Sequence, residues 1–209
     1  MRFIHGILIT FLLFTFACNS SKQKEQSVAS SEENYPPEAV TRGSSDTPDE
    51  TNDQQLLKAA LEGQSKTVQK LLDQGVSVNA TDEEGRTPLM LAAYNGHTDT
   101  GVLLVEAGSD VNVIDSDGRT ALMYASTGPF PEMVRFLLQK GAKINLADKQ
   151  EHFTALMYAA SEGLPEVTKI LLENGADPDL KDVDGDRALN FASNNKHQEV
   201  VELLKSWKK

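Results

Sequence analysis

The chain has 209 residues, with 31 acidic against 20 basic side chains and a formal net charge of −11. That length allows one ordinary domain with an appendage. The charge works against binding to DNA, RNA or an anionic membrane surface, all of which repel it. A basic protein partner would instead be steered towards it.

Arg2 and the amino terminus form a short positive stretch, and Ile7 to Ala17 is an apolar run of eleven residues. Such a run is too short to span a bilayer comfortably and suits the core of a secretory signal, which sets residues 1–17 outside the fold. The run stops at Cys18, the only cysteine, which therefore has no partner for an internal disulfide. Thr15-Phe16-Ala17-Cys18 resembles the lipobox of bacterial lipoproteins, with Ala17 matching and Thr15 and Phe16 departing from the usual residues. The resemblance implies a diacylglycerol on Cys18; ordinary secretion and an uncleaved anchor are the alternatives. Each buried methylene of such a lipid contributes about 0.8 kcal/mol to membrane attachment. Asn19 is not the aspartate that commonly retains lipoproteins in an inner membrane, so the resemblance favours a cell-envelope protein on the outer membrane, facing the periplasm. Residues 18–50 are rich in Ser, Glu, Gln and Lys, contain Pro36, Pro37 and Pro48, and have almost no large apolar side chains. A segment of this composition buries too little surface to offset its ordering entropy and reads as a linker.

From residue 51 the chain repeats itself. Thr87-Pro88-Leu89-Met90, Thr120-Ala121-Leu122-Met123, Thr154-Ala155-Leu156-Met157 and Arg187-Ala188-Leu189-Asn190 follow one another at intervals of 33, 34 and 33 residues. Periods of that length mark solenoids. Within the unit starting at Asp115, Asp115-Ser116-Asp117-Gly118 reads as a tight turn and Thr120 as a helix N-cap. Leu122, Met123 and Ala125 fall on one helical face; Gly128-Pro129 ends that helix and Pro131-Glu132 opens another. Val134, Leu137 and Leu138 supply the second apolar stripe, and Gly141 the C-cap.

Turn, helix, short turn, helix and glycine in this register resemble the ankyrin repeat. Its elements have counterparts in Gly108-Ser109-Asp110-Val111-Asn112, Gly141-Ala142-Lys143-Ile144-Asn145 and Gly175-Ala176-Asp177-Pro178-Asp179. An upstream copy without the threonine signature covers Gln54 to Asn79. The resemblance implies an all-α solenoid of five helix–turn–helix units joined by short β-hairpin or turn loops. The units run over about 51–81, 82–114, 115–147, 148–181 and 182–209 within a 51–209 domain. The departures from the family pattern are informative. Met90, Met123, Met157 and Asn190 stand where histidine is usual, so that residue's bonds to neighbouring turns are expected to be missing. The fourth unit has one extra residue in Asp148-Lys149-Gln150-Glu151-His152-Phe153 and no turn glycine, which predicts a bulged loop with Phe153 exposed. Lys205 replaces a leucine at the far end and Lys58 and Lys70 lie at the near one, as terminal caps require. Trp207 is expected to cover the last helix pair.

Neither a metal site nor a catalytic site is legible, and no cofactor is expected. His97 and His197 lie three units apart, too far to share an ion, and read as helix-capping residues. The Met90, Met123 and Met157 column reads as core rather than as a copper site, and Asp182 to Asp186 lacks the spacing of a calcium loop. No nucleophile or phosphate-loop motif occurs, and the paired carboxylates are expected on turn tips in solvent. A metal carrier or an enzyme is therefore a remote alternative. The resemblance implies instead a monomer that binds another protein, with the membrane reached only through the lipid. The partner would meet turn tips and the inner face of the first helices. Those positions hold Glu83, Glu84, Arg86, Tyr94 and Asn95 in the second unit, and Ser116, Asp117, Arg119 and Tyr124 in the third. The fourth contributes Phe153, Tyr158 and Glu162, with Lys149, Gln150 and His152 in the same loop; the fifth contributes Asp184, Asp186, Phe191 and Asn194. A scaffold or protector of an envelope enzyme is the first expectation. An immunity-type inhibitor masking a toxin is the second.

Overall fold

Residues 51–207 are described by a computed structural model; the signal segment, Cys18 and the linker to residue 50 lie outside the described residues, as do Lys208 and Lys209. Among the described residues ten helices form five pairs: α1 (Asn52–Leu61) with α2 (Ser65–Asp73), α3 (Pro88–Tyr94) with α4 (Thr98–Glu106), α5 (Ala121–Ala125) with α6 (Pro131–Gln139), α7 (Ala155–Ser161) with α8 (Pro165–Glu173), and α9 (Ala188–Asn194) with α10 (Gln198–Ser206). The loops between pairs are turns rather than β-hairpins. Among the described residues the only β-pairing is one isolated antiparallel bridge, Ala147 with Thr154.

The first helix of each pair starts for a local reason. Thr87, Thr120 and Thr154 are extended, and each hydroxyl accepts a bond from the backbone N–H three residues on, at 3.3–3.4 Å. The first pair has the same device: Thr51 accepts from Gln54 N at 3.3 Å and the Gln54 side chain answers Thr51 N at 3.0 Å. In the fifth pair the direction reverses, since Arg187 lacks a capping oxygen and its N–H donates to Asn190 Oδ1 at 3.0 Å. Such caps contribute about 1 kcal/mol each. The histidine bonds expected to be lost are therefore partly replaced: Met90 Sδ accepts from Thr87 N at 3.4 Å, and Asn190 does the same work with oxygen. Met90, Met123 and Met157 are otherwise core, each 1–2% exposed.

Like packs on like along the stack. α1, α3, α5, α7 and α9 form one layer, α2, α4, α6, α8 and α10 the other. Small residues let the first helices approach closely: Ala59, Ala60, Ala92, Ala93, Ala125, Ser126, Ala159, Ala160 and Ala192 are buried. Ser126 is tolerated there because its hydroxyl donates to Leu122 O at 2.8 Å. The larger side chains between the layers, among them Leu56, Leu89, Leu104, Leu122, Met133, Leu137, Leu156 and Leu171, are fully buried. Each contributes roughly 1.5–3 kcal/mol. At the far end Lys205 is exposed where Leu172 of the preceding pair is buried, and Trp207 packs half-buried on the core. Lys58 and Lys70 are exposed at the near end.

Successive repeats are also keyed by a ring over a glycine. His97 and His197 occupy N-cap positions but make no capping bond with their side chains, contrary to expectation. Each instead crosses to the preceding repeat, where Nε2 meets Leu61 O at 3.1 Å and Ser161 O at 2.9 Å. Asn95 and Asn195 donate to the same two carbonyls at 2.7 and 2.9 Å. The rings lie so close that a Cβ on Gly63 or Gly163 would come within 2.5 or 2.3 Å of them, and one on Gly96 within 2.2 Å of Phe130.

Gly163→Ala should therefore cost more than Gly75→Ala. Both sites have positive φ, but only Gly75 faces open space. Left-handed strain costs about 1–2 kcal/mol at either, and overpacking adds roughly 1–3 kcal/mol at Gly163 alone. Urea unfolding midpoints measure the difference, and His197→Ala in the Gly163→Ala background should recover part of it.

Candidate interaction surface

Each loop is wound around the aspartate that opens it. Asp82 Oδ1 accepts from Glu84 N and Arg86 N at 3.1 and 2.8 Å, and Asp182 Oδ1 from Asp184 N and Asp186 N at 3.0 and 2.7 Å. Asp115 and Asp148 do the same and are buried, 4% and 3% exposed, so these two carboxylates do not stand in solvent as the sequence led us to expect. Asp115 accepts from Arg119 N at 2.8 Å and from the Tyr124 hydroxyl at 2.6 Å. Asp148 accepts from Glu151 N, Phe153 N and the Tyr158 hydroxyl at 3.0, 3.2 and 2.7 Å. The shaped loops then bond to one another: Ser116 N to Glu84 O at 2.9 Å, Lys149 N to Asp117 O at 2.8 Å, Val183 N to Glu151 O at 3.1 Å. At their bases Asn112 bridges Gly141 O and Lys143 N, and Asn145 bridges Gly175 O and Asp177 N.

The expected partner-facing residues divide by burial. Glu83, Glu84, Asn95, Ser116, Glu162, Asp184 and Asn194 are exposed, while Arg86, Tyr94, Asp117, Arg119, Tyr124, Phe153, Asp186 and Phe191 are half-buried. Tyr158 is 8% exposed and belongs to the core, which removes it as a contact residue. Its hydroxyl is held by Asp148 and its ring by Phe153. Phe153 is not exposed either. It meets Tyr158 edge-on at 5.5 Å and Phe191 at 4.7 Å, because the longer fourth loop folds it inward. Tyr94 and Tyr124 make a further edge contact at 6.1 Å.

Arg119 stands between the two buried phenol–carboxylate pairs. Its Nε is buried without a hydrogen-bond partner, and Asp117 lies 3.8 Å from its outer nitrogen. Burial works against its charge, yet Tyr158, Tyr124 and Asp117 together hold it above the ordinary guanidinium value. Both phenols are pushed well above the usual tyrosine range, first by burial and then by the carboxylate each donates to; Arg119 draws them part of the way back. The pairing of Asp115 with Tyr124 and of Asp148 with Tyr158 was missed in the sequence. Its signal was the tyrosine that replaces Leu91 and Phe191 at equivalent positions, nine or ten residues after the loop aspartate. In the second repeat Arg86 takes over, with Nε 2.7 Å from Asp82 and an outer nitrogen 3.2 Å from Glu84.

Among the described residues, no three His, Cys, Asp or Glu side chains form a group able to hold a metal ion. The surface offers shape, charge and half-buried rings, which is the equipment of recognition.

A phenol whose folded pKa is raised stabilises the fold fully below the unfolded value near 10 and loses that contribution as pH rises above it. Alkaline titration should show this as a fall in stability above about pH 10. The fall should be smaller in Tyr124→Phe/Tyr158→Phe, and the parent-minus-variant absorbance at 295 nm should develop only as the protein unfolds. At neutral pH Tyr158→Phe alone should cost about 1–3 kcal/mol, because it strips a donor from a buried carboxylate.

A family model described as ankyrin repeats (three copies) matches residues 56–148 and 145–208. No curated protein matches the chain significantly.

Proposed function

We propose, starting from the fact that the chain belongs to the ankyrin-repeat family, that it is a scaffold of the bacterial cell envelope, holding a partner protein against its row of loops. Ankyrin repeats mediate binding to other proteins and generally act without catalysis, so the chain is a protein–protein interaction module. One observation carries the reading of the face: four consecutive loops are each wound on an aspartate, and the loops are tied to one another by backbone bonds. Tips ordered in advance lose little entropy on binding, which is what a recognition surface gains from such construction. Exposed Glu83, Glu84 and Asp184 suit basic groups on the partner, and half-buried Tyr94, Tyr124 and Phe191 suit its apolar groups. Protection or support of an envelope enzyme is the role proposed.

Tethering rests on the sequence. The apolar run ending at Ala17-Cys18 supports a lipid on Cys18, and the polar residues to Glu50 support a spacer between lipid and repeats. No helix among the described residues is long and apolar enough to cross a membrane.

A photocrosslinking residue placed in cells at Glu84, Ser116 or Asp184 should trap a common partner, whereas the same residue at Lys66 or Glu202 on the second helices should not. Equal trapping from both sets would reject the loop face. Separately, Cys18→Ser should move the protein from the membrane pellet to the soluble fraction, and retention in the pellet would reject the lipid.

A further inference from the structure

The fourth loop departs from its neighbours in a way that creates a site. At Gly118 of the third loop φ is +83° and a Cβ would come within 2.7 Å of Lys149 in the next loop, so only glycine fits. His152 takes the equivalent left-handed place in the fourth loop, at φ 58°, with a full side chain. An open groove of about 460 Å³ lies beside this loop, lined by Asn145, Asp148, Lys149, His152, Leu180 and Lys181 among others.

The charge of the groove is opposite to that of the chain. Its one acid, Asp148, is buried and committed to Glu151 N, Phe153 N and the Tyr158 hydroxyl. Its two ammonium groups are uncommitted: Lys149 Nζ reaches only a carbonyl, Ser116 O at 3.4 Å, and Lys181 has no hydrogen bond or ion pair among the described residues. Asn145 is locked into the wall by its bonds to Gly175 O and Asp177 N.

We propose that this groove receives an acidic segment of the partner protein, its carboxylates meeting Lys149 and Lys181; the proposal rests on the protein-binding reading above. Two ammonium groups on an open trough, each a point charge with freely turning donors, suit a run of carboxylates.

Fluorescence anisotropy of a labelled decaglutamate peptide with the full chain at low salt tests it. The peptide should bind, weaken as salt rises, and weaken at least tenfold in Lys149→Ser/Lys181→Ser. Lys66→Ser/Lys70→Ser should leave binding unchanged, and Lys149→Arg/Lys181→Arg should retain it. No binding, or equal loss in the two serine variants, would overturn the groove assignment. If photocrosslinks from the loop tips persisted in that case, the protein-binding reading would stand and the groove alone would fall. Displacement by inorganic phosphate, where chloride of equal ionic strength has no effect, would mark a small-anion site and also overturn it.

Discussion

A carboxylate at the head of each loop, gathering the backbone N–H groups that follow it, is the constraint on which the rest of this array depends. Asp82, Asp115, Asp148 and Asp182 each take one or two of these donors, and each thereby bends its loop back onto itself. An aspartate in this position satisfies backbone groups that have no helix or strand to serve them. Once bent, a loop presents one outward N–H and one outward carbonyl at fixed positions, and the backbone bonds from loop to loop follow. The loop tips are therefore held at fixed positions relative to one another.

The middle of the stack is reinforced beyond this. In the third and fourth repeats the aspartate is buried and a tyrosine hydroxyl completes its coordination, while Arg119 sits between the two pairs. A buried carboxylate with a full set of donors is tolerable, and one short of a donor is costly, so the network is cooperative in the sense that each member protects the others. The outer repeats use cheaper solutions suited to greater exposure: Arg86 on Asp82, and backbone alone on Asp182. Rings continue the line outwards, through Tyr94 on one side and through Phe153 and Phe191 on the other.

Much of the fold was legible because it rests on local chemistry repeated at a fixed interval. Threonine before an alanine-rich stretch, proline in a first turn and glycine after a last one are short-range instructions, and helices start and stop where they say. The repeat did hide one copy: Thr51 with Gln54 three residues on is a capping box, legible in the sequence but outside the register of the others. What the sequence could not give was contact between repeats. His97 and His197 carry the residue type and position of caps, yet their bonds go to carbonyls 36 residues earlier. Phe153 looked like a surface ring because loops are usually wet, and Tyr158 like a contact on the inner face of its helix; Phe153 is turned inward onto Tyr158, and Asp148 holds the Tyr158 hydroxyl. Burial at these places is decided by the neighbour, and a single unit's pattern does not contain the neighbour.

The contact between ring and glycine has a consequence for how such a chain can change. Gly63, Gly96 and Gly163 each receive a ring from the next repeat, whereas the third repeat has Pro129 at that place and is followed by Leu164, which has none. The last repeat has Lys196 there, at φ 62°. Each unit is thus cut to its successor. Excising the third would set Leu164 over Gly96 and leave a void where Phe130 had been; copying it would drive Phe130 towards Pro129. Loss or copying of the third repeat therefore breaks a joint, whereas a second repeat copied in place would again set His97 over a glycine.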